Sequence, residues 1–469
     1  MDEWSILITA VLFMVVGIAA SRTKKISLEE YISSRNSFGT LTLAGTIVAT
    51  AMGAWILFSP AETSVTAGLI ALVGYAMGSA FAVFIFIWLG RSIRKIMPQG
   101  HTPTEFVLER FGKPMYFTAL AIMIFYMAVF LAAELTGIAL AANIAFGTPA
   151  ILTASVIGLA TLVYTAIGGL RASIITDALQ SILIIPILAV LFIGSILFLG
   201  GFSDVFANLA DKAPQLLLPS LSGIEYAITL IIAIVGAEIF NQANWQRVYA
   251  ARDERSLRKG FLVAGFIIFF IILVSGSFGF FAVVTSSESH PSVALFSFLT
   301  AVTPRWFLAL SMVLATILVM STVNSLMNGL ASLFTVDIRR IYPSLSQKRL
   351  LSAARWVTGG IALIAIAVAY FELSVLYLFL IADLVCVAAA FPLLYGLFTS
   401  RYSGKTAFIS TLIAIAIGGS FFPDPSFQRG NLLLSFGLAL LVPMIIALFI
   451  RSRTSFDFSK LRRKVRQIQ

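Results

Sequence analysis

Charge is what this sequence has least of. Only 11% of its 469 residues are Asp, Glu, Lys or Arg, whereas a soluble chain carries about 25% because its surface must face water. With 59% hydrophobic residues and a mean hydropathy of +0.99, most of the surface must face lipid. Histidine is nearly missing too. The two present, His101 and His290, are too few for a His/Cys metal cluster. The single cysteine, Cys386, excludes an intramolecular disulfide. No GxSxG elbow occurs. "SGKT" at 403–406 fails as a phosphate loop because Thr399 stands where the first glycine is required. No nucleophile–base pair is evident, so an enzyme is not expected.

What is present is apolar length. Runs of about 17–25 residues mark membrane spans, and thirteen are found: 4–20, 38–60, 67–90, 115–145, 150–168, 172–199, 226–249, 261–284, 304–334, 355–371, 374–399, 406–421 and 431–450. The first is preceded by Asp2 and Glu3 and followed by "SRTKK". That charge order is the reverse of a secretory signal, so this span is expected to be retained with the N-terminus outside. Thirteen crossings then place 29 of the 32 Lys and Arg residues on the cytoplasmic side, with Lys212, Arg305 and Arg429 outside. This is the positive-inside bias, and it accounts for the net charge of +11 without nucleic-acid binding. The basic C-terminus "SKLRRKVRQIQ" is expected to lie in the cytoplasm against anionic headgroups.

Two runs are interrupted. "GTIVATAMGAWILFSPAETSVTAGL" carries Gly53, Pro60 and Glu62; "ITLIIAIVGAEIFNQANWQRVYAA" carries Gly236, Glu238, Asn241 and Gln242. Unwound backbone is tolerated at bilayer depth where it lines a cavity. The two interrupted spans are five apart, so they cross in opposite directions. That is the plan of an inverted-repeat transporter with its site at the midplane.

The remaining polar chemistry is acidic. Glu62, Glu134, Asp177, Glu238 and Asp383 fall within or at the ends of spans, and no Lys or Arg is expected at matching depth. Intramembrane acids face the bundle interior and mark pathways, so the interior is expected to be electronegative and to suit a cation. A substrate anion could still meet a helix N-terminal end at a break. A zwitterion would satisfy both features, with its ammonium on an acid such as Glu238. A hydroxyl and amide stripe on span nine, Ser321, Thr322, Asn324, Ser325 and Asn328, offers oxygen ligands to a small hard cation.

"YTAIGGLRASIITDALQ" at 164–180 resembles the signature of the sodium:solute symporter family, in which a Tyr-Thr-x-x-Gly-Gly-Leu turn precedes a Thr-Asp-x-x-Gln helix start. "GHTPTEFVLERFG", "NWQRVYAARDERSLRKG" and "MSTVNSLMNGLASLFTVDI" are similar to that family as well, and the likeness spans roughly residues 5–450. The resemblance implies an all-α polytopic membrane protein with the leucine-transporter-like 5+5 inverted repeat. Residues 1–37 would form an extra first helix and an amphipathic linker. The two repeats would occupy 38–199 and 226–399, and 400–469 would hold two further helices and the basic tail.

The resemblance further implies a sodium site made by the backbone carbonyls of Ala49, Met52 and Leu318 with the hydroxyls of Ser321 and Thr322, and Asp177 at its inner mouth. In members with a second sodium, that ion would lie near Asp177, Ser321, Asn324 and Ser325; Asn324 departs from the hydroxyl those members carry. Ala51 stands where proline transporters of the family carry an aspartate, and 261–284 lacks the lysine of the sugar members. The expected substrate contacts are Trp55, Ile56, Ser79, Glu238, Asn241 and Asp383.

The implied function is sodium-coupled symport of a small polar solute across the cytoplasmic membrane by a chain acting as a monomer. The solute would be an amino acid, or a neutral or cationic amine or amide such as urea. The alternatives are a transporter-like sensor domain and a symporter of monocarboxylates or other organic anions.

Overall fold

Lipid offers no partner for backbone N–H and C=O groups, so a chain of this composition can cross only as helix or closed barrel. The computed structural model describes residues 4–21, 32–287, 291–342, 344–425, 427–450 and 455–465, and it is helical apart from one isolated bridge between Phe38 and Ala251. His290 and much of the linker before residue 32 lie outside the described residues.

The helices are α1 (Trp4–Ser21), α2 (Thr40–Ala51), α3 (Ser59–Ile96), α4 (Pro103–Phe111), α5 (Lys113–Phe146), α6 (Ala150–Phe198), α7 (Phe202–Lys212), α8 (Leu221–Glu238) and α9 (Gln242–Ala250). They continue with α10 (Glu254–Val284), α11 (Ala294–Val302), α12 (Arg305–Ile341), α13 (Gln347–Val368), α14 (Val375–Phe398), α15 (Gly404–Ser420), α16 (Leu432–Phe449) and α17 (Ser459–Lys464). Among the described residues, ten helical segments are long and apolar enough to cross a membrane, and four shorter apolar helices accompany them. The chain is a multi-pass membrane protein. Side chains such as Leu41, Trp356 and Phe449 stay exposed on its flanks, as a lipid-facing surface requires.

Both expected interruptions are real. The first apolar run ends α2 at Ala51, passes through extended Met52 and Gly53, makes a single 3-10 turn over Ala54–Leu57 and resumes as α3. A second bend follows at Gly68, whose φ of 77° is open to glycine and costly for other residues. The later run ends α8 at Glu238 and restarts as α9 after Asn241, whose side chain caps Ala243 N–H at 3.1 Å. Spacing of small residues sets α8 in place: Gly74 and Gly78 of α3 lie against Ala227 and Ile231, the close approach that small residues allow between membrane helices. α10 packs on α2 and α3, α12 on α6, and α14 on both α5 and α8.

Residues 150–198 are helical throughout, Gly168 and Gly169 included. The tight turn expected there does not interrupt the helix, because glycine permits a turn without forcing one. A straight helix of 49 residues would measure about 73 Å, over twice the ~30 Å hydrocarbon core. Two apolar segments lie within it, Ala150–Ile167 and Ser173–Phe198. The side chain of Arg171 lies outside the described residues. Asp177 is therefore inside a helix and not at its start, so it does not act as a cap.

Candidate functional site

Breaking a helix exposes backbone groups and makes room for side chains from neighbouring elements. At the first break the room comes from Gly53: a Cβ there would overlap the Glu134 carboxylate. Glu134, on α5 and fully buried, fills that space and accepts the Ala54 N–H at 2.7 Å through Oε2.

On the other side of the break lies an aromatic chamber. Trp55 stacks on Tyr75 with centroids 5.7 Å apart and meets Phe379 edge-on at 6.1 Å. Phe379 in turn contacts Phe130 at 4.6 Å. These rings surround a cavity of about 40 Å³ that Glu238 and Asp383 also line. The two carboxylates differ. Glu238 is held by the Tyr126 hydroxyl at 3.0 Å, by Asn241 Nδ2 at 3.2 Å and by Asn244 Nδ2. Asp383 is 6% exposed and has no hydrogen-bond partner among the described residues. Rings present a negative face, and with a free carboxylate beside them they form an environment for a cation.

A larger cavity, about 560 Å³, lies at the end of the bundle bearing the second half of the first broken run. Glu62, Thr66, Glu225, Tyr226, Ser374 and Asn431 are among its lining residues. Ser374 Oγ reaches both Glu62 oxygens at 3.3 and 3.4 Å.

The third cluster corrects the expectation that the buried acids have no basic partner. Arg247 and Asp177 are both fully buried, with Nη2 2.8 Å from Oδ2. The network around them closes on itself. Arg247 donates to Ser325 Oγ at 2.8 Å and to Thr46 Oγ1 at 3.3 Å, and each hydroxyl can donate onward to Asp177 Oδ2, at 3.1 and 3.2 Å. Helical rise alone puts Arg247 at the end of its span. The structure instead places it on α9, a short helix buried along its whole length, from which the long side chain reaches inward. The other four acids have no basic partner among the described residues.

Beside this pair, Ser321 Oγ lies within reach of Ala49 O at 3.1 Å and Asp177 Oδ1 at 2.9 Å. Thr322 Oγ1 is buried without a partner, and Ala49, Met52 and Leu318 are fully buried. Asn324 is turned elsewhere: it accepts from Thr165 Oγ1 at 2.8 Å and donates to Ser173 Oγ at 2.9 Å. Of the expected substrate contacts, Trp55, Glu238 and Asp383 share the central cavity, and Asn241 orients Glu238. Ile56 and Ser79 are buried but do not line it. Sequence reasoning missed Tyr75, Tyr126, Phe130 and Phe379, since 40 phenylalanines and 12 tyrosines offer no means of singling these out.

Broken helices meeting at buried polar groups in an all-α apolar bundle define a membrane transporter. The comparisons narrow that class. The model of the sodium:solute symporter family matches residues 31–414, so the chain belongs to that family. It is similar to the spermidine transporter DUR31 of Candida albicans, at 27% identity over 87% of this chain and 78% of that protein. Similarity extends to the urea-proton symporter DUR3 of Oryza sativa, at 24% over 73% and 53% of the two chains, so this chain spans about half of that relative's length. The sodium/glucose cotransporter of Vibrio parahaemolyticus is 26% identical over 75% and 71%. Among solved structures, a sodium-coupled sialic acid symporter superposes with a TM-score of 0.80 at 16% identity, covering 97% of this chain and 99% of that one. A nucleobase-cation-symport transporter superposes at 0.53 and 14% identity, over 90% and 95%. At such identities the superpositions speak for a shared leucine-transporter-like fold alone.

Proposed function

We propose that the protein is a sodium-coupled symporter of the cell membrane that takes up a small polar solute by alternating access. The solute is an amino acid, or a neutral or cationic amine or amide such as urea. The observation that carries this reading is the central cavity, where the unpartnered Asp383 and the oriented Glu238 lie among aromatic rings beside both helix breaks. Similarity to spermidine and urea transporters supports the same solute class.

In this reading one sodium binds the carbonyls of Ala49, Met52 and Leu318 and the hydroxyls of Ser321 and Thr322. The buried, unpartnered hydroxyl of Thr322 supports the assignment, since hard cations select oxygen donors. Sodium then holds α12 against the end of α2, and solute bridges α8, α14 and the first break. We assign no second sodium to Asp177, Asn324 and Ser325, because Arg247 already supplies the positive charge there. Thirteen crossings and two inverted five-helix units, 38–199 and 226–399, complete the proposal.

The test is uptake into liposomes under an inward sodium gradient. Accumulation against the solute's own gradient is expected. Ser321→Ala and Thr322→Ala should each raise the sodium needed for half-maximal uptake about tenfold, as a polar contact to a charge contributes about 1.5–3 kcal/mol. Unchanged sodium dependence in both would remove α12 from the ion site. A proton-coupled cycle is the second reading, favoured by the rice relative and the unpaired buried acids. Uptake driven by a proton gradient without sodium would select it.

A further inference from the structure

At both helix breaks the protein itself caps backbone N–H groups. A broken membrane helix leaves N–H groups and a positive dipole end that can seat a carboxylate. At the first break the Ala54 N–H already carries one, because Glu134 reaches across from α5 into the space that Gly53 leaves. At the second break the Asn241 side chain accepts Ala243 N–H at 3.1 Å, and the Asn241 carbonyl accepts Asn244 N–H at 3.1 Å. Among the described residues no Lys or Arg lines the central cavity; its charged groups are Glu238 and Asp383. A solute carboxylate in that cavity would face two acids and no basic partner.

We infer that the transported solute carries no carboxylate. It is an amine, guanidine or urea whose N–H groups donate to Asp383 beside the rings of Trp55 and Phe379, in a cavity whose charged lining is acidic. This rests on the symporter reading and narrows it. Asp383 is suited to the role because its oxygens are otherwise unpartnered in a buried site, a state that costs free energy until a donor arrives. Glu238, tied by Tyr126, Asn241 and Asn244, acts by placing negative charge behind it.

The test uses ligand pairs that differ by a single carboxylate: agmatine and arginine, putrescine and ornithine, ethanolamine and serine. Purified full-length protein in nanodiscs with sodium is titrated with each, alongside an uptake panel in liposomes that includes urea, proline and pyruvate. The amine of a pair should bind at least tenfold more tightly than its amino acid. Equal or tighter binding of the amino acid overturns the inference, as does sodium-driven uptake of any carboxylate in preference to these amines and urea. Asp383→Asn should pull the ratio towards one by removing the acid that receives the amine. Asp383→Glu, which keeps the carboxylate, should preserve the preference, which separates loss of the charge from loss of the fold. If no solute accumulates under a sodium or proton gradient, the transport reading fails instead, and the binding ratios still report on the cavity.

Discussion

The residue with most at stake is Arg247. Taking a guanidinium and a carboxylate out of water costs several kcal/mol each, and only close pairing with further hydrogen bonds offsets this. Here the offset comes from Thr46 and Ser325, which bond to both charges. Removing one partner strands the other, at a cost of about 3–5 kcal/mol. Asp177→Asn and Arg247→Gln should therefore each lower the melting temperature in detergent markedly, while the double variant should lie closer to wild type than either single one. Additive losses would show that the two charges are stabilised independently. The pair was not legible in the sequence, because Arg247 falls at the end of its apolar run and depth was read from position along that run. That reading cannot anticipate a short helix buried after a break, nor a side chain several bonds long reaching back towards the centre.

Among elements, α4 shows how a short helix between two long apolar ones is capped. Thr102, Pro103 and Glu105 build a capping box, in which the Glu105 carboxylate accepts His101 N–H at 2.6 Å and Thr102 N–H at 3.1 Å. Burial pushes the Glu105 carboxyl upward. The hydrogen bonds and charge of His101, with the charge of Arg340, outweigh that and hold it below its ordinary value. A carboxyl depressed in the folded state adds stability that is present above its unfolded pKa and is lost as pH falls through the folded one. Glu105→Ala is expected to cost about 1–2 kcal/mol near neutrality, and the gap to wild type should close as melts are repeated at progressively acid pH. A gap that persists at low pH would mean that packing, not the ionised cap, is responsible.

The two broken helices were legible at this scale, since Gly53 and the run from Glu238 to Gln242 interrupt otherwise lipid-soluble sequence. The role of Glu134 was not, because it depends on two helices meeting. Only the space beside Gly53 shows which backbone amide the acid reaches.

For the whole molecule, helix positions follow from apolar length, and each expected run overlaps helix in the structure. Orientation rests on charge bias, and Cys386 makes it easy to test because this lone thiol is fully buried. A cysteine at the exposed Ala207 should react with a membrane-impermeant maleimide applied to intact cells. One at the exposed Arg401 should react only after permeabilisation. The reverse pattern would invert the proposed topology.

A guanidinium bonded to a carboxylate carries no net charge through an electric field, so the Arg247–Asp177 pair can shift during a cycle with little electrical work. In the proposed symport cycle, each elementary charge that ion or solute carries across the membrane is worth about 2.3 kcal/mol per 100 mV. If the cargo is a monocation accompanied by one sodium, each turn draws on roughly twice that. Accumulation would then respond steeply to the resting potential, and a depolarised cell would lose most of its concentrating power even with its sodium gradient intact.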